Sequence, residues 1–174
     1  MELHSSRCTV RSYRPDDAAS LARHGTNRKV WQNLRDRFPH PFTEANGAEY
    51  IARVLQNPDH TSFAIDVGGS AIGGIALHIG TDIERLGAEI GYWIGEEYWR
   101  RGIITDAIQL VTTYAFTELG LVRVFAVPFS HNAASCRALE KAGYTLEGTL
   151  RSSAIKDGRV QDQFMYAVVR ASLV

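Results

Sequence analysis

The first part of the chain combines one strand-like segment with two helical patterns. CTVRSY (8–13) alternates as a strand does, and the apolar spacing then predicts a helix from Ala18 to His24. Thr43 is a favourable N-cap for a second helix, whose apolar side chains recur at helical spacing. That apolar stripe consists of Tyr50, Ile51, Val54 and Leu55.

The middle of the chain has the pattern of an antiparallel meander. SFAIDV (62–67) and SAIGGIALHIG (70–80) flank Gly68-Gly69, a pair typical of a tight hairpin turn. AEIGYWIG (88–95) predicts the next strand. Gly73-Gly74 lies inside a strand pattern, where glycine indicates a bulge or a close approach of another group.

The second half begins with a long apolar-periodic run from about Ile103 to Leu119, which predicts a helix ending near Gly120. LVRVFAV (121–127) follows as a strand. Strand, helix and strand at this spacing predict a β-α-β crossover, whose two strands are parallel. A short helix over 133–142 and a hairpin turning at Asp157-Gly158 complete an α+β fold with a mixed, mostly antiparallel central sheet.

Composition narrows the function classes. The 174 residues with 45% hydrophobic content fit a single domain spanning 1–174. Basic and acidic residues both number 19, so the net charge is zero and a nucleic-acid partner bound through a broad basic face is not expected. No segment has the pattern of a signal peptide or membrane span, so no membrane partner is expected. The two cysteines form no disulfide framework, the histidines lack zinc-ligand spacing, and we expect a cytoplasmic protein without metal.

YWRRGIITDA (98–107) places Arg100, Arg101 and Gly102 directly before the long helix. The first N–H groups of a helix lack intrahelical partners, the helix dipole favours anions there, and glycine lets a ligand approach the backbone. This combination predicts a phosphate or pyrophosphate site. An ordinary strand-to-helix turn with two solvated arginines fits the same residues equally well. P-loop and dinucleotide fingerprints are absent from the sequence.

NAASCRALEKAGY (132–144) places Asn132 and Ser135 at the start of the second crossover helix. Both are favoured helix caps, which is the simplest explanation for them. The β-α-β geometry also brings the carboxyl ends of the two parallel strands together, and ligands of open sheets bind there. Two polar helix entrances would then face one crevice suited to a long linear cofactor.

EIGYWIGEEYWRRGIITDA followed by NAASCRALEKAGY resembles the GNAT superfamily of acetyl-CoA-dependent N-acetyltransferases, closest to its ribosomal-protein N-terminal (Rim-type) subgroup. The resemblance spans essentially the whole chain and implies a GNAT-like sheet with helices on both faces. It implies that main-chain N–H groups of the helix entrance hold the coenzyme A pyrophosphate, while pantetheine runs beside the last strand of the meander. The residues implied for acetyl-CoA are Tyr92, Trp93, Ile94, Arg101, Gly102, Ile103, Ile104, Thr105, Asn132, Ser135 and Arg137, with Arg100 adding charge. Trp99 and Ile104 depart from the family pattern, which has Gln or Arg and Gly or Ala there.

Acetyl transfer needs a base for the amine and a proton for the thiolate. Glu89, on the strand before the cofactor loop, is the predicted base, with Glu96 and Glu97 as rivals. Many members of the family use a tyrosine as acid where this chain has Leu139, and Ser135 is the implied substitute. An acyl-enzyme route through Cys136 is less favoured, since no histidine lies at a recognisable partner spacing.

The acceptor side is expected around the proline-containing loop, and we name Trp31, Asn33, Phe42 and Tyr92 as candidate substrate-binding residues. Residues 31–42 carry one acid against three basic residues, which disfavours a polyamine. The predicted reaction is therefore acetylation of a primary amine, most simply a protein or peptide N-terminus. The alternatives are a polyamine or antibiotic acetyltransferase and a non-catalytic acyl-CoA-binding module. The family resemblance also allows a homodimer.

Overall fold

The protein, described by a computed structural model over residues 2–57 and 61–170, is built around one eight-stranded sheet. The strand order is β1-β2-β3-β4-β5-β6-β8-β7, and only β5 and β6 pair in parallel among these neighbours. The strands are β1 (Glu2–His4), β2 (Thr9–Arg11), β3 (Ser62–Val67), β4 (Ser70–Ile79), β5 (Gly87–Ile94), β6 (Arg123–Ala126), β7 (Thr145–Lys156) and β8 (Arg159–Val169).

Helices cover both faces of this sheet. They are α1 (Asp17–Gly25), α2 (Arg28–Trp31), α3 (Glu44–Gln56), α4 (Ile103–Thr117) and α5 (Ala133–Lys141). The larger apolar core lies between the sheet and α4 and α5, whereas a smaller core joins α1, α3 and Phe42 to the opposite face. The α+β class and the parallel crossover are thus confirmed. Within the described ranges, no helix is long and apolar enough to cross a membrane.

Local chemistry explains where most elements begin and end. Thr43 and Asn46 form a reciprocal capping box at the start of α3. Gly68-Gly69 and Asp157-Gly158 adopt positive φ at the two predicted hairpin turns. The sequence patterns missed β1 and the short α2, and the predicted strand 121–127 is shorter as β6 because residues before Arg123 form a turn after α4.

The glycine pair in β4 permits a close approach of β5. A side chain at Gly73 would overlap the carbonyl oxygen of Trp93, and one at Gly74 would overlap the Tyr13 hydroxyl. A bulge lies at the same level, where the β3–β4 register shifts between Ile65 and Asp66. Both features that the glycine pair predicts are therefore present.

The parallel pair β5–β6 is short, and this shapes the site. β5 pairs with β6 only through Gly87–Glu89, opposite Arg123–Phe125. In the described parts of the chain, residues 90–94 have no strand partner on that side, while β6 continues alongside β8. The two parallel strands therefore diverge towards the carboxyl end of β5 and leave a gap in the sheet.

A buried ion network fixes the first helix to the sheet. Arg11, only 2% exposed, donates to both carboxylate oxygens of Asp17 at 2.8 Å and to Asp66 at 2.8 Å. The Asp17 hydrogen bonds raise the pKa of the Arg11 guanidinium above its already high value, so the guanidinium is charged at neutral pH. Burial of these charges is tolerated because every one has an opposite partner.

Candidate active site

The loop before α4 has the backbone form of an anion-binding nest. Arg100 and Gly102 both have positive φ, at 62° and 77°, and Arg101 between them does not. This alternation turns successive N–H groups towards one side, and the N-terminus of α4 begins at Ile103 directly after it. The side chains of Arg100 and Arg101 are exposed, so charge and backbone donors coincide as the sequence predicts.

Two departures from the family pattern have structural explanations. The Trp99 indole donates to the Ile94 carbonyl at 3.0 Å and so ties the loop to the end of β5. The Ile104 side chain is half-buried and packs against the larger core, which turns it away from solvent.

Arg7 also reaches this helix entrance, which sequence reasoning did not predict. Its guanidinium pairs with Asp106 in the first turn of α4 at 3.0 Å, and a side chain at Gly102 would lie 3.2 Å from its Nε. No local motif marks Arg7, because the contact joins residues 99 positions apart. It places a third cation beside Arg100 and Arg101.

The outer edge of β5 presents main-chain groups to the gap in the sheet. The Gly95 N–H donates to Ile72 of β4, so the alternation of a strand turns the peptide groups of Tyr92 and Ile94 to the opposite side. The Ile94 carbonyl is taken by Trp99, as described above. The remaining groups form an open strand edge of the kind that binds an extended amide chain.

At the start of α5, Asn132 and Ser135 make different hydrogen bonds. The Asn132 side chain accepts the Ser135 N–H at 3.2 Å and is the N-cap. The Ser135 hydroxyl is therefore not a cap, and it lies 2.8 Å from the Tyr92 hydroxyl. Burial raises the pKa of Tyr92 far above its usual value, so this phenol stays protonated. Arg137 is exposed on the same helix.

On the opposite face of β5 lies a shallow depression, here called the Gly91 recess. Its floor is Gly91 and its cross-strand partner Ala76, both half-buried, and nothing lies closer than 4.0 Å to the position of a Gly91 side chain. Alternation places Trp93 on this face at one end of the floor. The cross-strand pair Glu89 and His78 stands at the other end.

Two arginines of the loop before α3 close the polar end of the Gly91 recess. Arg35 forms a short hydrogen-bonded ion pair with Glu89, and Arg37 lies 2.9 Å from Nε2 of His78. Partial desolvation of the ring, together with the charge of Arg37, lowers the pKa of His78. His78 is therefore neutral at pH 7, and its Nε2 accepts from Arg37. Sequence reasoning missed His78, because only the β4–β5 register sets it beside Glu89.

The other two carboxylates named as possible bases anchor the turn after β5. Glu96 accepts from Lys29 and from Asn27, and the lysine contact lowers its pKa. Glu97 lies 3.1 Å from Nδ1 of His24 and 3.6 Å from Arg23. Glu89 alone among the three stands on the sheet face beside the Gly91 recess.

The four predicted acceptor residues all make contacts within the protein. Trp31 has the Lys156 ammonium 3.5 Å above its ring and donates to Phe38. Asn33 donates to the carbonyl of Lys29, and Phe42 is buried in the smaller core. The fourth, Tyr92, points to Ser135 on the opposite face of the sheet, so the structure does not bring all four together.

Both thiols are buried and free, and burial raises the pKa of Cys136, which disfavours a nucleophilic thiolate. Over the described ranges, no cluster of histidine, cysteine or carboxylate side chains has the arrangement of a metal site. The described groups suited to acyl transfer are the main-chain N–H donors of the nest and of β5, the hydroxyls of Tyr92 and Ser135, and the carboxylate of Glu89.

Comparison with known proteins agrees with this architecture. The chain is 41% identical to the N-acetyltransferase YoaA of Bacillus subtilis over 99 residues, which span 57% of this chain and 55% of that protein. It is 26% identical to the N-acetyltransferase p20 of Bacillus licheniformis over 97% of this chain and 96% of that protein. RimL, a ribosomal L7/L12 α-N-protein acetyltransferase solved with coenzyme A, superposes with a TM-score of 0.84 at 19% identity, covering 97% of this chain and 98% of that one.

The family model described as the acetyltransferase (GNAT) domain matches residues 7–145, which include the nest, the open edge of β5 and both residues at the entrance of α5. The Rim-type ribosomal-protein acetyltransferases are distant relatives of this chain, as the 19% identity to RimL shows. The chain belongs to the GNAT family of N-acetyltransferases.

Proposed function

We propose that the protein transfers the acetyl group of acetyl-CoA directly to the α-amine of a protein or peptide N-terminus. The observation that carries the proposal is the open edge of β5, which leads to the nest of Arg100 and Gly102 beyond the carboxyl end of the strand, while the Gly91 recess lies on one face of the same strand. A long linear thioester fits along the open edge and the nest, and an amine fits in the Gly91 recess. The amine can then attack the thioester carbonyl directly, without a covalent intermediate on the enzyme.

In this proposal the cofactor is held mostly by main chain. N–H groups from Arg101 to Thr105 bind the pyrophosphate, supported by the charges of Arg7, Arg100 and Arg101. The N–H and carbonyl of Tyr92, together with the free N–H of Ile94, bind pantetheine as an added strand. An N–H on the gap side of β5, such as that of Ile94, stabilises the oxyanion as the thioester carbonyl is attacked.

The proton path uses both faces of β5. The amine nitrogen bonds to the carbonyl carbon and loses a proton to Glu89, directly or through water. The carbon–sulfur bond breaks, and the thiolate takes a proton from the Ser135 hydroxyl. Tyr92, which stays protonated 2.8 Å away, donates a hydrogen bond to the Ser135 oxygen while that oxygen regains a proton from solvent, and Glu89 releases the amine proton to solvent. A tyrosine on β5 thus serves in place of one at the buried position Leu139.

An α-amine is the acceptor best suited to a single carboxylate base, because part of it is already neutral near pH 7. Its pKa of about 7.7–8.0 leaves a useful neutral fraction near pH 7, whereas neutralising a lysine of pKa near 10.4 requires about 3 to 5 kcal/mol. The arginines at the Gly91 recess also disfavour a polyamine, which carries several positive charges. The relatives named above support acetyl transfer to an amine without specifying this one.

The direct test is thiol release from acetyl-CoA with four acceptors: peptides with a free N-terminus and no lysine, N-blocked peptides with lysine, spermidine, and buffer. We expect release with the first, and mass spectrometry should place the acetyl group on the terminal nitrogen. Acetylation confined to lysine or spermidine would contradict the proposal. Binding of coenzyme A with no release from any acceptor would instead support a non-catalytic module.

The cofactor site has a matched pair of glycine variants. Gly102 and Gly120 flank α4, and both have positive φ, at 77° and 65°. Replacement by alanine strains each backbone by about 1–2 kcal/mol, so both variants lose similar stability. Only Gly102→Ala should weaken coenzyme A binding, by tenfold or more in a calorimetric titration. Equal affinities in the two variants would leave Gly102 as a structural turn.

A further inference from the structure

The charge of the Gly91 recess is unbalanced. Arg35 and Arg37 both reach the polar end of the Gly91 recess, and among the described residues Glu89 is the one carboxylate that pairs with either of them there. The segment's own acid, Asp36, is turned away and lies 2.7 Å from the ammonium of Lys156. Arg37 contacts His78, a neutral ring that accepts its hydrogen bond, and no carboxylate within residues 2–57 and 61–170 forms an ion pair with Arg37.

This imbalance lies next to the proposed base. Glu89 and His78 are cross-strand partners, so the side chains that Arg35 and Arg37 contact are neighbours on one sheet face. An amine that loses its proton to Glu89 therefore reacts beside a guanidinium with donors to spare. A guanidinium binds a carboxylate through two parallel hydrogen bonds and with charge assistance.

The floor leaves room for such a ligand. Gly91 and Ala76 carry almost no side chain, and both are half-exposed. Trp93 bounds the other end, where it packs edge-on against Phe38 with ring centroids 5.2 Å apart. The recess therefore has one aromatic end, an uncharged floor and one cationic end beside the base.

We infer that the Gly91 recess selects amines that carry a carboxylate a few bonds from the reacting nitrogen, with Arg37 binding that carboxylate. The inference rests on the proposed function and specifies its substrate class. Two sources offer this chemistry: a peptide N-terminus with an acidic residue at its second position, and a free acidic amino acid. A cationic acceptor is repelled at the same point.

The test compares acceptors that differ in one charge. The peptides Ser-Asp-Ser-Ala and Ser-Asn-Ser-Ala, both with amidated C-termini, are nearly equal in shape, and free aspartate and asparagine form the second arm. We expect the aspartyl peptide to exceed the asparaginyl peptide at least tenfold in kcat/KM, with the ratio falling as salt is raised. Discrimination in the amino-acid arm alone would assign the site to small acidic amines rather than peptides.

Variants then assign the discrimination to Arg37. Arg37→Gln should reduce the Asp-to-Asn ratio to within about twofold of unity, and Arg37→Lys should restore part of it. Arg159→Gln, on an exposed arginine of β8, is the matched control and should keep the wild-type ratio. Because Arg37 is exposed, folding of its variants is expected to be normal and is checked by their melting temperature.

Two results separate the failure of this inference from that of the proposed function. Equal rates for both peptides and both amino acids, or a ratio that persists in Arg37→Gln, overturn the carboxylate site while acetyl transfer stands. Absence of thiol release with every acceptor overturns the proposed function and the inference with it.

Discussion

Filling the Gly91 recess should remove acceptor binding and leave both the fold and the cofactor site intact. In Gly91→Val the new Cβ has no neighbour closer than Nε2 of His78 at 4.0 Å, so it meets only an ordinary van der Waals contact. Glycine inside a strand is destabilising by about 0.5–1 kcal/mol, and valine is favoured there. We therefore expect unfolding free energy to stay equal or rise by up to about 1 kcal/mol.

The same isopropyl group occupies the floor on which the amine must lie. A tenfold or larger loss of kcat/KM for the acceptor corresponds to at least about 1.4 kcal/mol of lost transition-state stabilisation. Gly91→Ala should show a smaller loss. Gly148→Val places the same side chain in open space on β7 and should change neither activity nor affinity.

The assays are thermal melting, calorimetric titration with coenzyme A, and thiol release at varied acceptor concentration. Wild-type affinity for coenzyme A together with a raised acceptor KM supports the geometry. A loss of coenzyme A affinity as large as the loss of turnover would show that the Gly91 face belongs to the cofactor, and the separation of the two sites by β5 would be wrong.

Arg11→Ala leaves two buried carboxylates without their partner and should lower unfolding free energy by about 3–5 kcal/mol in urea titrations; a change below 1 kcal/mol would show that the network is not structural. Tyr92→Phe should lower kcat more than it raises KM for the acceptor, since it removes the donor to Ser135; an unchanged kcat would leave the hydroxyl pair a packing contact. Burial lowers the pKa of His24, so the unfolded state binds more protons below about pH 6.5. Unfolding free energy should therefore fall as pH drops through that value, and the slope should flatten in His24→Gln; identical slopes would assign it to other groups.

Helices and hairpins whose boundaries are set by a cap residue or a glycine turn were predictable from the sequence. The cap at Thr43, the Gly68-Gly69 turn and the Asp157-Gly158 turn each depend on a few neighbouring residues, and each is present. The parallel crossover followed from spacing and handedness alone. Short elements such as α2 carry too few periodic positions to show a pattern.

The sequence indicated a candidate site only where one continuous segment builds it. The entrance of α4 is a single stretch of chain, so its glycine and arginines indicated an anion site. The Gly91 recess combines β4, β5 and a loop whose two arginines contact residues 54 and 41 positions further along the chain, and a register shift between Ile65 and Asp66 helps to set β4 in place. Neither His78 nor the division of labour between Asn132 and Ser135 has a local signature, since both depend on the partner that the fold supplies.

The β7–β8 hairpin reaches back over the segment that carries both arginines. Near its tip, Lys156 lies over Trp31 and pairs with Asp36, while Asp157 binds Arg28 at 2.5 Å. The family model ends at residue 145, where this hairpin begins. A change in the sequence of the hairpin tip could therefore alter the position of Arg35 and Arg37, and with it the acceptor that is bound. The residues that hold the thioester would not need to change.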